Sequence, residues 1–280
     1  MKFEGKKIGI IGLGKSGYWA SKLAKSIDCN VFASDSNSNL DLSIIDDLKN
    51  IGVEVETGEH SNRLLDSDII IKSPGISNDI EILKKLEKSN TQIVSEIEFA
   101  GMISNVNNIC ITGTNGKTTT VSLITKILGE ELNVLKSGNI GIPFSQIVFE
   151  HKLYKDNDID YCILELSSFQ LEHCSHLKKE ISAFINISTD HMDRYDNFDD
   201  YFNTKLKVFE NSKHCFFNND DKILRERMIK SKSNKESFST KKEIGNFFFK
   251  ENKIFTNDLR LSLNVDEISL KGVHNISNII

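Results

Sequence analysis

Short apolar runs, turn formers and amphipathic stretches alternate along most of the chain. Residues 7–11 read as a buried strand, followed by Gly12-Leu13-Gly14-Lys15-Ser16-Gly17 and a helix to about residue 27. Residues 30–33 form a second strand, closed by Asp35. A helix near 44–50, strands at 53–56 and 68–71, a helix near 79–88 and a strand at 92–94 continue the pattern. A second run starts near Ser95: strand 108–112, helix 118–131, strands 161–164 and 183–187, a helix near 199–211 and strand 214–218. Strands alternating with helices predict an α/β protein with parallel sheets, and the two runs predict two domains, 1–95 and 96–280. Residues 236–270, around Phe247-Phe248-Phe249 and Leu261-Ser262-Leu263, predict small antiparallel strands. The last ten residues read as the opening of an apolar helix with no stop signal, so the chain is expected to be incomplete at its C-terminus.

Composition narrows the classes. The chain has 280 residues, 39% hydrophobic and 27% charged, enough for two ordinary cores. A net charge of −5 leaves no electrostatic footprint for nucleic acid. No apolar stretch approaches the ~20 residues that span a bilayer, and the N-terminus carries no secretory signal. Five cysteines without a CxxC pair read as reduced core residues. The expectation is a cytoplasmic protein that binds neither nucleic acid nor membrane.

Candidate chemistry concentrates at strand ends. Thr112-Gly113-Thr114-Asn115-Gly116-Lys117-Thr118-Thr119 sits between a β-branched strand and a helix. Gly113 and Gly116 let successive N–H groups converge on an anion, Lys117 reaches terminal phosphates, and the Thr118 hydroxyl suits Mg²⁺. The loop is a shortened variant of the general phosphate-loop pattern, with Ile111 where that pattern has glycine. It predicts a bound nucleoside triphosphate. Gly12-x-Gly14-x-x-Gly17 with Asp35 fits a dinucleotide fingerprint, which alone would suggest an NAD-dependent oxidoreductase but serves any diphosphate-binding Rossmann-like domain, with Lys15 and Ser16 in reach. Glu165 ends an apolar strand where a carboxylate beside phosphates suits Mg²⁺. Asp190-His191-Met192-Asp193-Arg194-Tyr195 follows another strand; His191 there suits a metal or a phosphate. By composition alone Lys205 is one more solvent-facing lysine.

Taken together, these segments resemble the Mur ligase family. The matching pieces are the phosphate loop, Ser137-Gly138-Asn139-Ile140-Gly141, Leu164-Glu165-Leu166-Ser167-Ser168-Phe169-Gln170-Leu171, Asp190–Tyr195 and Gly272-x-His274-Asn275. The Leu164–Leu171 and Asp190–Tyr195 runs are the pieces most specific to the D-glutamate-adding branch. The resemblance implies a Rossmann-like domain for the UDP end of a substrate and a P-loop NTPase-like central ligase domain, with the family's third domain absent from this chain. It implies an ATP-dependent ligase of peptidoglycan synthesis that joins D-glutamate to UDP-N-acetylmuramoyl-L-alanine through an acyl phosphate, acting as a monomer. Lys117, His191 and Lys205 would be catalytic. Gly113, Thr114, Asn115, Gly116, Lys117, Thr118, Thr119 and Asn275 would bind ATP. Thr118 and Glu165 would hold one Mg²⁺, and His191 with a carbamylated Lys205 a second. Lys15, Ser16, Asp35, Ser36 and Gly75 would grip the uridine diphosphate, with Asn139 and His191 on the sugar nucleotide. Two alternatives stay open: a ligase of this fold with another acceptor, such as L-lysine, diaminopimelate or folate, and a non-catalytic UDP-sugar and nucleotide-binding module.

Overall fold

The computed structural model describes residues 3–139, 141–230, 235–241, 246–250, 253–256 and 262–264. Packing divides the chain into two units, Met1–Val106 with Ser137–Asp158 and Phe169–Leu177, and Asn107–Lys136 with Ile159–Ser168 and Lys178–Ile280.

The first unit contains β1 (Lys7–Ile11), α1 (Lys15–Ser26), β2 (Asn30–Asp35), α2 (Leu42–Asn50), β3 (Glu54–Thr57), β4 (Ile69–Lys72), α3 (Glu81–Lys88), β5 (Gln92–Ser95) and α4 (Glu96–Ile103). Its five strands pair in the order β3-β2-β1-β4-β5, all parallel. Crossover helices cover both faces of a parallel sheet, so β1 and β4 read as isoleucine-rich runs rather than as an apolar–polar alternation. Ile11, Leu64 and Ile70 meet Ile82, Leu83 and Leu86 of α3 in one buried cluster, and each such side chain contributes about 1.5–3 kcal/mol. Strand order reverses beside β1, which puts the switch point at the carboxyl end of β1.

The chain continues through β6 (Asn107–Thr112), α5 (Lys117–Leu128), β7 (Val134–Gly138), α6 (Phe144–Glu150), β8 (Tyr161–Glu165), α7 (Ser168–Leu171), β9 (Lys179–Phe184), α8 (Phe198–Leu206), β10 (Ser212–Asn218), α9 (Lys222–Lys230), β11 (Glu236–Ser239), β12 (Phe247–Lys250), β13 (Lys253–Thr256) and β14 (Ser262–Asn264). The second sheet runs β14-β13-β12-β11-β10-β9-β6-β8-β7. Val121 of α5 packs on Ile109, Ile111 and Ile163, with Ile124 and Leu128 beside them. The carboxyl ends of β6, β8 and β9 therefore share one edge, because β6 pairs in parallel with both neighbours.

Two elements differ from the sequence reading. The strand expected at 183–187 is β9, Lys179–Phe184. Its ladder stops where β6 stops, at the Thr112–Phe184 pair, and Ile185 and Ile187 stay buried in the loop beyond, which is why the apolar run looked like strand. Among the strands expected to be antiparallel, β11 is parallel to both β10 and β12; only β12-β13-β14 are antiparallel. The helix α9 between β10 and β11 is the crossover that a parallel pair requires. The helix read at 271–280 lies outside the described residues. All five cysteines are free and buried, as their apolar settings suggested. Among the described residues no helix is long and apolar enough to cross a membrane.

The expected division at 95/96 follows chain order, whereas packing also assigns α4 and α6 to the first unit. Glu96 opens α4, is 2% exposed, and accepts the Ser145 N–H of α6 at 2.5 Å. Burial pushes its carboxyl up to about 7, although the Ser145 hydrogen bond works the other way. A raised carboxyl is stabilising while protonated, so this contribution is complete below the ordinary value of 4.5 and is lost as pH rises through 7. Glu96→Gln keeps an acceptor for Ser145 without the buried charge. The variant should be more stable than the parent by about 3 kcal/mol at pH 8 and equal to it at pH 4, measured by urea unfolding. Equal stability at both pH values would contradict the buried charge.

Candidate functional site

In the second unit the loop between β6 and α5 is built by its own backbone. Gly116 caps α5 with φ +80°, the left-handed region where a side chain is strained. The Asn186 side chain clamps the loop: its Oδ1 accepts the Thr114 and Asn115 N–H groups at 3.0 and 2.9 Å, and its Nδ2 donates to Asn115 O at 2.8 Å. With those two donors held, the N–H groups of the first turn of α5 are the ones available to an anion, ahead of the first intrahelical bond from Thr120 to Gly116.

Two lysines converge on one carbonyl. Lys117 Nζ donates to Gly113 O at 2.9 Å and to Thr114 O at 3.0 Å. Lys205 Nζ, from α8, donates to the same Gly113 O at 2.9 Å. Lys205 is 2% exposed, so it is not the solvent-facing lysine that composition suggests. Burial, reinforced by the nearby Lys117 and opposed by Asp190, lowers its pKa to about 7. Burial also lowers Lys117, against the pull of Glu165 and Asp190. The Tyr201 ring lies one helical turn before Lys205, 5.1 Å from its Nζ, and the Tyr201 hydroxyl is 3.3 Å from Thr114 Oγ1.

Thr118 Oγ1 donates to Glu165 Oε2 at 2.7 Å, and Glu165 is 3% exposed at the end of β8. Two hard oxygen donors at a helix N-terminus suit Mg²⁺ whose remaining positions are filled by phosphate oxygens and water. Among the described residues no three His, Cys, Asp or Glu side chains form a metal-binding group on their own. His191 is exposed, holds φ +54°, and reaches the cluster through neighbours. Its N–H donates to Asp190 Oδ1 at 2.9 Å, and its ring lies 6.4 Å from that of Tyr201. Lys117, Thr118, Glu165 and Lys205 thus share one edge of the sheet, with His191 at its margin.

In the first unit Gly17 is required by contact, since a Cβ there would lie 1.8 Å from Gly12 O. Lys15 and Ser16 open α1, Asp35 ends β2 with Ser36 just past it, and Gly75 sits in the turn after β4, all on the carboxyl edge of the sheet. Lys15 Nζ donates to Gly141 O at 2.6 Å. Asp35 accepts the Leu13 and Asn37 N–H groups at 2.6 and 2.8 Å. Ser73 Oγ donates to Gly12 O at 2.8 Å, tying the Gly75 turn to the glycine loop. Asn139 is exposed just past β7.

Residues 111–280 match the Mur ligase middle domain and residues 7–82 match the MurD N-terminal domain. The chain belongs to the Mur ligase family. It is 37% identical over 287 residues to the UDP-N-acetylmuramoylalanine–D-glutamate ligase of Bacteroides fragilis, an alignment covering 98% of this chain and 62% of that protein. The protein of the same name from Bacteroides thetaiotaomicron is 38% identical over 285 residues, with 98% and 62% covered. The murein peptide ligase of Psychrobacter arcticus shares the fold, with TM-score 0.59 at 19% identity over 98% of this chain and 63% of that one. This Mur ligase chain therefore spans about three-fifths of the length of its relatives.

Three residues of this cluster are not singled out by the sequence reading as individuals. Asn186 lay inside an apolar run assigned to a strand. Asp190 belongs to a polar segment of the sequence, and its charge acts on both Lys117 and Lys205. Tyr201 gave only the i, i+4 spacing to Lys205 as a signal. Asn275 lies outside the described residues.

Proposed function

We propose that this Mur ligase chain carries the UDP-substrate and ATP-handling parts of an enzyme that joins D-glutamate to UDP-N-acetylmuramoyl-L-alanine. The proposed chemistry is transfer of the γ-phosphoryl group of ATP to the substrate carboxylate, releasing ADP and leaving an acyl phosphate. The D-glutamate amine then attacks the acyl carbon, the C–O bond to phosphate breaks, and an amide and inorganic phosphate result. The observation that best supports this reading is the meeting of half-buried Lys117 and buried Lys205 on Gly113 O beside the Thr118–Glu165 pair. A simple nucleotide-binding loop does not call for a buried lysine from another helix beside its own lysine.

Lys117 turns from the Gly113 and Thr114 carbonyls to the terminal phosphates, where its charge opposes the growing negative charge. Thr118 and Glu165 hold Mg²⁺, which when bound neutralises phosphate oxygens. Lys205 has a different part: its neutral amine adds CO₂, forming an N–C bond and releasing a proton. The resulting carbamate is an anionic oxygen donor, and His191 completes its side of the site. In the first unit, Lys15, Ser16, Asp35, Ser36 and Gly75 hold the uridine diphosphate, and Asn139 meets the sugar. The division of labour follows the two runs of the sequence, the UDP end to the first and ATP to the second.

In the protein at the length of its relatives, phosphate release should require UDP-N-acetylmuramoyl-L-alanine, D-glutamate, ATP and Mg²⁺ together. Turnover with L-lysine in place of D-glutamate would overturn the acceptor. This chain by itself should bind the UDP substrate in calorimetry, and no affinity for it would overturn the reading of the first unit.

A further inference from the structure

Ser34, the residue before Asp35 at the end of β2, is fully buried. Its Oγ lies 2.8 Å from Glu56 Oε2, 2.9 Å from Glu59 O and 2.8 Å from His60 Nδ1. A hydroxyl has one proton to give, and two of these neighbours only accept. Glu59 O is a carbonyl. Burial works to raise the Glu56 carboxyl, but hydrogen bonds from Ser61 and Ser34 and the charge of Arg63 outweigh it and keep Glu56 below the ordinary range, an ionised acceptor. The Ser34 proton goes to that pair, so the third neighbour must be the donor. His60 therefore carries its proton on Nδ1, and its Nε2 is a lone-pair acceptor. That Nε2 is not sealed in and has no hydrogen-bond partner among the described residues.

The position of this acceptor matters. Ser34 pairs with Ile11, and its carbonyl accepts the Gly12 N–H at 2.9 Å. His60 thus stands on the carboxyl edge of the first sheet, on the β2–β3 side of the glycine loop. With a diphosphate at that loop, the nucleoside end of a ligand extends over this side. Asp35, the acidic residue of the fingerprint, already accepts one backbone N–H on each oxygen, so it is not the sole acceptor this end can offer a ligand. We infer that His60 Nε2 is the acceptor that reads a hydrogen-bond donor of the nucleoside end, the uracil imide N–H or a ribose hydroxyl. The inference rests on the first unit binding a uridine diphosphate.

Protonation would turn Nε2 into a donor and abolish the match. The acidic groups acting on the ring are Asp35 on β2 and Glu56 on β3; burial nevertheless keeps the ring pKa below its ordinary value, so the acceptor form prevails at neutral pH. The test is calorimetric binding of UDP to this chain and two variants. His60→Phe removes the acceptor and should weaken binding about tenfold, or about 1.4 kcal/mol. His60→Gln puts an amide oxygen near the place of Nε2 and should stay within about threefold of the parent. Parent affinity should fall below pH 6 while that of His60→Gln does not. N3-methyl-UDP and 2′-deoxy-UDP separate the two donors: the analogue lacking the donor that is read should bind parent and His60→Phe alike. Equal UDP binding by parent and His60→Phe overturns the inference. If His60→Phe does not fold, identical pH profiles for parent and His60→Gln overturn it. A parent chain that binds no UDP instead overturns the reading of the first unit.

Discussion

Lys117→Ala should lower phosphoryl transfer by about 10²–10³-fold, the usual loss when one charge-stabilising donor is removed from a transfer site. The measurement is acyl phosphate formation in a single turnover, trapped chemically, in protein at the length of its relatives. Folding should survive, because Gly113 O keeps its bond from Lys205. The variant has a second consequence. The Lys117 charge helps depress Lys205, so its removal should let the Lys205 pKa rise from about 7. At pH 7.5 less of the Lys205 amine would then be neutral and ready for CO₂. One substitution should thus reduce both phosphoryl transfer and the incorporation of isotope-labelled bicarbonate at Lys205. Unchanged acyl phosphate formation would remove Lys117 from the reaction.

The Lys205→Ala variant should lose about 10²–10³-fold in overall ligation if the proposed carbamate supplies an anionic oxygen pair there. Short carboxylic acids that fit the vacated space should restore part of it, whereas alkylamines should not. The pH dependence has a definite sign. A lysine lowered to about 7 is mainly neutral above pH 7 and mainly an ammonium below it. Only the neutral amine adds CO₂, so label incorporation should fall as pH drops from 8 to 6. A fully active Lys205→Ala protein, or rescue by amines instead of acids, would refute the carbamate.

The phosphate loop was legible because its chemistry is local: glycines, a lysine and a hydroxyl within eight consecutive positions. The parallel parts of both sheets were legible from the alternation of apolar runs and amphipathic stretches. The parallel placement of β11 was also within reach, since the stretch between β10 and β11 is long enough for a crossover helix. Lys205 is a different case. Nothing in its immediate sequence distinguishes a buried lysine from a solvated one, and only the family pattern singled it out. Asn186 was hidden by Ile185 and Ile187, which are buried although they lie past the last ladder pair. His60 was silent because its proton placement depends on two acceptors that meet at Ser34 only after folding.

The assignment of Ser137–Asp158 and Phe169–Leu177 to the first unit has a practical consequence. A gene split after codon 106 would sever that unit from two of its own pieces, including the helix whose backbone binds Glu96. Half-proteins made at that junction should be poor folders, and co-expressing the two halves should recover solubility that neither has alone.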